Sequence, residues 1–122
     1  MTTTPRVSIV IPIYNEEAIL NAAILELRDK LDGLGWPYEF LLAENGSTDR
    51  TLAVAAEIER KHPEVRHFSV DAPNYGRALK EGILQARGEF VICDEIDLCD
   101  VDFYRTALDL LEKNEVDLVI GS

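Results

Sequence analysis

Hydrophobic residues along the chain follow two alternating patterns: short continuous apolar runs, and longer stretches with apolar positions three or four apart. The run Val7–Ile13 (VSIVIPI) is rich in β-branched residues and predicts a strand buried on both faces. Asn15 stands where it would cap the next element, and Leu20, Ala23, Leu27, Leu31 and Leu34 trace one face of an amphipathic helix. Gly33 and Gly35 end that helix and Pro37 closes the turn. Tyr38–Ala43 reads as a second buried strand. The turn Glu44–Thr51 (ENGSTDRT) puts Gly46 at the bend and offers Ser47, Thr48 or Asp49 as cap for a helix from Arg50 to Lys61, which Pro63 stops. A third strand, Val65–Val70, leads through the loop Asp71–Gly76 into a weaker helix, Arg77–Ala86, with Gly82 inside it. Glu89–Cys93 is a fourth strand, followed by the acidic turn Asp94–Asp100. Phe103, Ala107, Leu110 and Leu111 mark a fourth helix, and Val116–Ile120 a fifth strand.

Strand and helix alternate throughout, which predicts an α/β fold: a doubly wound, mainly parallel sheet of about five strands with helices on both faces. Ligands in such sheets bind beyond the C-terminal ends of the strands, where the strand order reverses. Those ends are Tyr14–Glu17, Glu44–Asp49, Asp71–Gly76 and Asp94–Asp97.

Composition narrows the choice of ligand. At 122 residues the chain fits one domain, residues 1–122. Its formal net charge of −11 argues against nucleic acid and anionic membrane surfaces as partners. Only two cysteines, no signal-peptide pattern and no apolar run of membrane-spanning length lead to the expectation of a cytoplasmic protein. No glycine-rich dinucleotide fingerprint, phosphate-binding loop or nucleophile elbow is present.

The strand-end residues carry the candidate chemistry. Glu95 and Asp97 lie two residues apart, so on an extended strand end both carboxylates would face one crevice, and an all-oxygen pair suits Mg²⁺ or Mn²⁺. The same pair also reads as a solvated acidic turn. Tyr14 follows the first strand and is placed to stack on a base or to pack. Glu44 could accept from a ligand NH or stabilise the next helix through its dipole. Gly76 precedes a predicted helix N-terminus, a natural site for phosphate oxygens, and Arg77 and Lys80 lie on that helix start. His62, His67 and Cys93 read as structural.

Four segments together resemble the family 2 glycosyltransferases of the GT-A fold: VSIVIPIYNEE at Val7–Glu17, ENGSTDRT at Glu44–Thr51, NYGRALKEG at Asn74–Gly82, and ARGEFVICDEIDL at Ala86–Leu98. The Asn-Glu-Glu and Ala-Arg-Gly variants lean toward the polyprenyl- or dolichyl-phosphate sugar transferases of that family. The resemblance implies a UDP- or GDP-sugar donor and an acceptor such as polyprenyl phosphate. It implies that Pro12 and Tyr14 border the nucleobase with Leu42 beside them, that Glu44 accepts from a base NH, and that Glu16 reaches the ribose or base edge. It places Gly76 at the phosphates, the Ile96 backbone near the donor, and Glu95 and Asp97 on the metal.

The departures from the family pattern are specific. Glu95 replaces the first Asp of the metal motif, with Asp94 one residue early, and the second strand ends Glu-Asn where Asp-Asp is usual. The acceptor-binding half, which carries the catalytic base of inverting members, is not in these 122 residues, so the expectation is a donor-binding half-domain. A non-catalytic nucleotide-binding or assembly module and a receiver-like phosphoacceptor domain, with Asp71 as its phosphorylated residue, are the alternatives. In GT-A sheets an antiparallel strand separates the fourth and fifth. Here the fifth must either close against the fourth or leave Phe90-Val91-Ile92 as an open edge, which would favour a homodimer.

Overall fold

The computed structural model describes residues 5–70, 73–96, 105–106, 108–110 and 119–120. Eight elements alternate in it: β1 (Val7–Ile13), α1 (Leu20–Asp32), β2 (Tyr38–Glu44), α2 (Thr51–Lys61), β3 (Val65–Ser69), α3 (Tyr75–Gln85), β4 (Phe90–Cys93) and β5 (Val119–Ile120). Residues 105–106 and 108–110 are also helical, within the span expected for a fourth helix. The strands form one parallel sheet in the order β3-β2-β1-β4-β5. Among the described residues no helix is long and apolar enough to cross a membrane.

Helices cover both faces, as expected. Because strand side chains alternate, β1, β2 and β4 each feed two cores. Val7, Ile9, Ile11 and Ile13 of β1 join Phe40 and Leu42 of β2 and Ile92 of β4 beneath α1 and α2, which contribute Leu20, Ile24, Leu27, Leu31, Ala55 and Ile58. Val10, Leu41, Ala43 and Cys93 face the other way and pack with Ala78 of α3. β1 is the middle of this arrangement and explains its uninterrupted apolar run: Val7, Ile9, Val10 and Ile11 have no exposed surface.

α3 lies unusually close to the sheet. A Cβ on Gly82 would overlap Val10 Cγ1, so the glycine that weakens the helical pattern is what lets the helix pack. Gly88, in the turn from α3 to β4, is equally confined: a Cβ there would lie 2.6 Å from the Ser8 backbone N. That approach completes a buried polar network. Ser8 Oγ donates to Glu39 Oε2 (2.5 Å), Gly88 N donates to Ser8 Oγ (2.7 Å), and Arg87 N donates to Glu39 Oε2 (2.7 Å). Arg66 donates to Glu39 Oε1 through Nε at 3.0 Å and Nη2 at 2.8 Å, and Nη2 also reaches the Gln85 carbonyl. Glu39, only 5% exposed, is thereby paired with a cation and hydrogen-bonded on both oxygens, which its burial demands.

Two helix starts differ from the expected ones. α1 begins at Leu20 without a side-chain cap, because Asn15 adopts φ 52° and sends its side chain elsewhere. α3 begins two residues earlier than its apolar pattern suggests, at Tyr75, because the Asn74 side chain accepts from Arg77 N and caps it. Gly76 therefore lies inside the first turn of α3 and not in the loop before it. β5 pairs directly with β4, Ile92 opposite Val119 and Cys93 opposite Ile120. The fifth strand has closed against the fourth, and of the Phe90-Val91-Ile92 edge that suggested a homodimer, Ile92 is paired.

Filling the α3–sheet contact tests this packing. Gly82→Ala should lower stability by about 1–3 kcal/mol despite alanine's better helix propensity, as overpacking does, read from the denaturant midpoint.

Candidate functional site

The order β3-β2-β1-β4-β5 reverses between β1 and β4, so a ligand crevice belongs at the C-terminal ends of those two strands. A cleft of about 230 Å³ opens there, lined by Pro12, Ile13, Tyr14, Glu16, Asn45, Tyr75, Glu95 and Ile96. Residues more than 80 positions apart in the chain meet in it because β1 and β4 run parallel in register, with Val10 opposite Cys93.

The loop after β1 is held by the loop after β2. Asn15 Oδ1 accepts from Thr48 N (2.9 Å) and Asp49 N (3.3 Å), while Asn15 N donates to Ser47 Oγ (2.9 Å). Glu16 N donates to Thr51 Oγ1 (2.7 Å), and Asp49 Oδ1 accepts from both Thr51 N (2.8 Å) and Thr51 Oγ1 (2.5 Å). Asn15 tolerates the left-handed conformation that this turn needs, since its short amide bonds locally. Much of the Asn-Glu-Glu and Gly-Ser-Thr-Asp-Arg-Thr pattern is thus spent on fastening two loops together. The result fixes Tyr14 and Glu16 at the mouth of the cleft.

Glu44 is only 2% exposed. Its Oε1 accepts from Ser69 Oγ (2.6 Å) and its Oε2 from Ser47 N (2.5 Å). Burial alone would raise its pKa, but the hydrogen bonds from Ser69, Ser47 and Gly46 outweigh it and hold the carboxylate below its ordinary 4.5. Glu44 braces the β2–α2 turn and does not line the cleft; its neighbour Asn45 does. Asn45 Oδ1 accepts from Asn74 N (2.6 Å), so what this amide has to offer a ligand is a hydrogen-bond donor. Leu42 is fully buried under α1 and α2 and is not part of the cleft wall.

Of the residues singled out in the sequence, Pro12, Tyr14, Glu16, Glu95 and Ile96 are brought together, whereas Leu42, Glu44 and Gly76 lie behind or beside the cleft. Asp97 lies outside the described residues, as does Asp71. Among the described residues no group of three His, Cys, Asp or Glu side chains is arranged to hold a metal ion. Glu95 is half-buried on the cleft wall, and its backbone N donates to Asp94 Oδ1 (2.9 Å). Tyr75, at the start of α3, is a cleft residue that the sequence pattern did not flag. Burial first, then the nearby Glu95, Cys93 and Asp94 groups, push its phenol pKa up.

Fold and site together define an α/β domain with a cleft at its topological switch point. The chain belongs to the glycosyl transferase family 2, whose model matches residues 8–122. An undecaprenyl-phosphate 4-deoxy-4-formamido-L-arabinose transferase of Pectobacterium carotovorum is 37% identical over 95 residues, covering 75% of this chain and 29% of the relative. A dolichyl-phosphate beta-glucosyltransferase of Dictyostelium discoideum is 28% identical over 127 residues, covering 94% and 39%. An uncharacterized glycosyltransferase of Bacillus subtilis is 30% identical over 108 residues, covering 87% and 32%. The chain therefore spans 29–39% of the length of these relatives. The receiver-like alternative is overturned: that fold places its first strand between the second and third, whereas here β1 lies between β2 and β4.

The loop fastening makes two testable statements. Asn15→Ala should speed amide hydrogen exchange at Thr48 and Asp49 and cost about 1–2 kcal/mol, with Asn15→Asp losing less because an acceptor remains. A folded-state pKa below the unfolded value means that Glu44 stabilises the fold above its ordinary pKa of 4.5 and loses that contribution as pH falls through the folded value. Denaturant unfolding should therefore show stability declining in acid below about pH 5, with a shallower decline in Glu44→Gln.

Proposed function

We propose that this chain binds the donor of a glycosyl transfer, a UDP- or GDP-sugar, in the cleft between β1 and β4, for delivery to a polyprenyl phosphate acceptor. The observation that carries this reading is the convergence of Pro12, Tyr14, Glu16, Asn45, Glu95 and Ile96 on one cleft at the switch point of a family 2 domain. Pro12 and the half-exposed Tyr14 border the base, Asn45 offers it a donor, Glu16 reaches the ribose, and the Ile96 backbone approaches the diphosphate. Gly76 supports a phosphate nearby. Among the described residues nothing demands glycine there, since an added Cβ would meet only Asn74 Oδ1 at 3.8 Å, and the missing side chain leaves the first turn of α3 open to a close ligand. The names of the Pectobacterium and Dictyostelium relatives, both acting on a polyprenyl or dolichyl phosphate, support the acceptor class.

The donor set fits a hard divalent cation: the Glu95 and Asp97 side chains offer oxygen ligands only. Glu95 and Asp97 would hold Mg²⁺ or Mn²⁺. Such an ion offsets the diphosphate charge on a protein already at −11 and stabilises the nucleoside diphosphate as it leaves. Glu95 is one methylene longer than the aspartate usual at its position.

Calorimetry with UDP, GDP and their sugars, with and without Mn²⁺, tests the proposal. The expected result is affinity that falls at least tenfold (about 1.4 kcal/mol) on chelation and in Asp97→Ala. Metal-independent affinity untouched by that substitution removes the metal from the reading, and absence of nucleotide affinity removes the reading itself.

A further inference from the structure

We infer that Tyr75 is a base-contacting residue of the donor site, its ring forming a second aromatic wall beside that of Tyr14; this rests on the nucleotide reading above. Large aromatic side chains are ordinarily covered in a domain of this size, yet Tyr14 is 43% and Tyr75 47% exposed, and both line the same cleft. They reach it from different elements, Tyr14 from the end of β1 and Tyr75 from the first residue of α3. An aromatic ring on a cleft wall presents a flat apolar face, and its natural complement is another flat face, such as a nucleobase.

Tyr75 is also held in place from within the cleft. Asn45 accepts from Asn74 N at 2.6 Å, and the Asn74 side chain accepts from Arg77 N at 3.0 Å to cap α3. The Asn45 amide thus fixes the residue immediately before Tyr75, while the approach of Gly82 to Val10 sets the height of the helix over the sheet. A ligand contacting Asn45 and the Tyr75 ring meets parts of one rigid assembly, with little to order on binding. The position also explains why Tyr75 carries a large side chain on a helix start where Gly76 and Ala78 are small.

The test compares nucleotides with a ligand that has no base. UDP, GDP and inorganic pyrophosphate, each with Mn²⁺, are titrated calorimetrically into the 122-residue chain and into Tyr75→Ala and Tyr75→Phe. Loss of a stacked ring should weaken UDP and GDP by about five- to hundredfold in Tyr75→Ala while leaving pyrophosphate unchanged, and Tyr75→Phe should keep most of the affinity. Unchanged nucleotide affinity in Tyr75→Ala overturns the inference while leaving the donor reading intact. Equal losses for pyrophosphate and nucleotides, or a Phe variant as weak as the Ala variant, overturn it as well, by assigning Tyr75 to the diphosphate or to its hydroxyl. A wild-type chain that binds neither nucleotide overturns both readings. Tyr75 is half-exposed, and unchanged thermal unfolding of the variants separates lost contact from lost fold.

Discussion

The parallel pairing of β1 with β2 on one side and β4 on the other is the constraint on which the rest of the molecule depends. Register places Ile13 beside Glu44 and Val10 beside Cys93, so the segments after all three strands emerge at one edge. No local preference would bring Tyr14, Asn45 and Ile96 together. What does so is the hydrophobic gain from burying β1 on both faces, which leaves the strand no other place than the middle. Once β1 is central, the crossovers fix which ends share an edge, and the cleft follows from topology.

The two edges of the sheet are built on opposite electrostatic terms. Near the beginnings of the strands, a buried Glu39 carboxylate is saturated by Arg66, Ser8 and the Arg87 backbone amide, so its cost of desolvation is met inside the protein. At the strand ends, Glu44 is likewise saturated by Ser47 and Ser69, but Glu95 lies half-buried on an open wall. Carboxylates with internal partners hold the scaffold. Glu16 and Glu95 are the carboxylates that border the cleft.

Most of the fold was legible because buried strands and amphipathic helices differ in period: all of β1, and α2 and β4 to within a residue, follow from spacing alone. The helix starts were less legible for a definite reason. Asn15 resembles a cap locally, but its partners are Thr48 and Asp49, some 33 residues away, and a one-dimensional pattern carries no sign of them. Five candidate residues reached the cleft because they stand at strand ends, where topology decides. Leu42 and Glu44 did not, because side-chain direction and hydrogen bonding within a turn depend on neighbours that only the folded chain supplies. Tyr75 was hidden between Asn74 and Gly76, which read as a turn; the available signal was that Asn74 is a good cap, making Tyr75 the first residue of a helix at the ligand-facing edge.

Gly82 and Gly88 each sit where a single added carbon would strike β1. Both belong to the segments by which the chain resembles its family, and each is accounted for by its packing against β1. A descendant of this protein that had lost all activity would still gain stability from keeping them, along with Asn15. Similarity concentrated at those positions measures inheritance of a scaffold. When relatives are sorted into active transferases and silent copies, the informative differences will be at half-exposed cleft positions such as 14 and 75, which the packing of the scaffold constrains least.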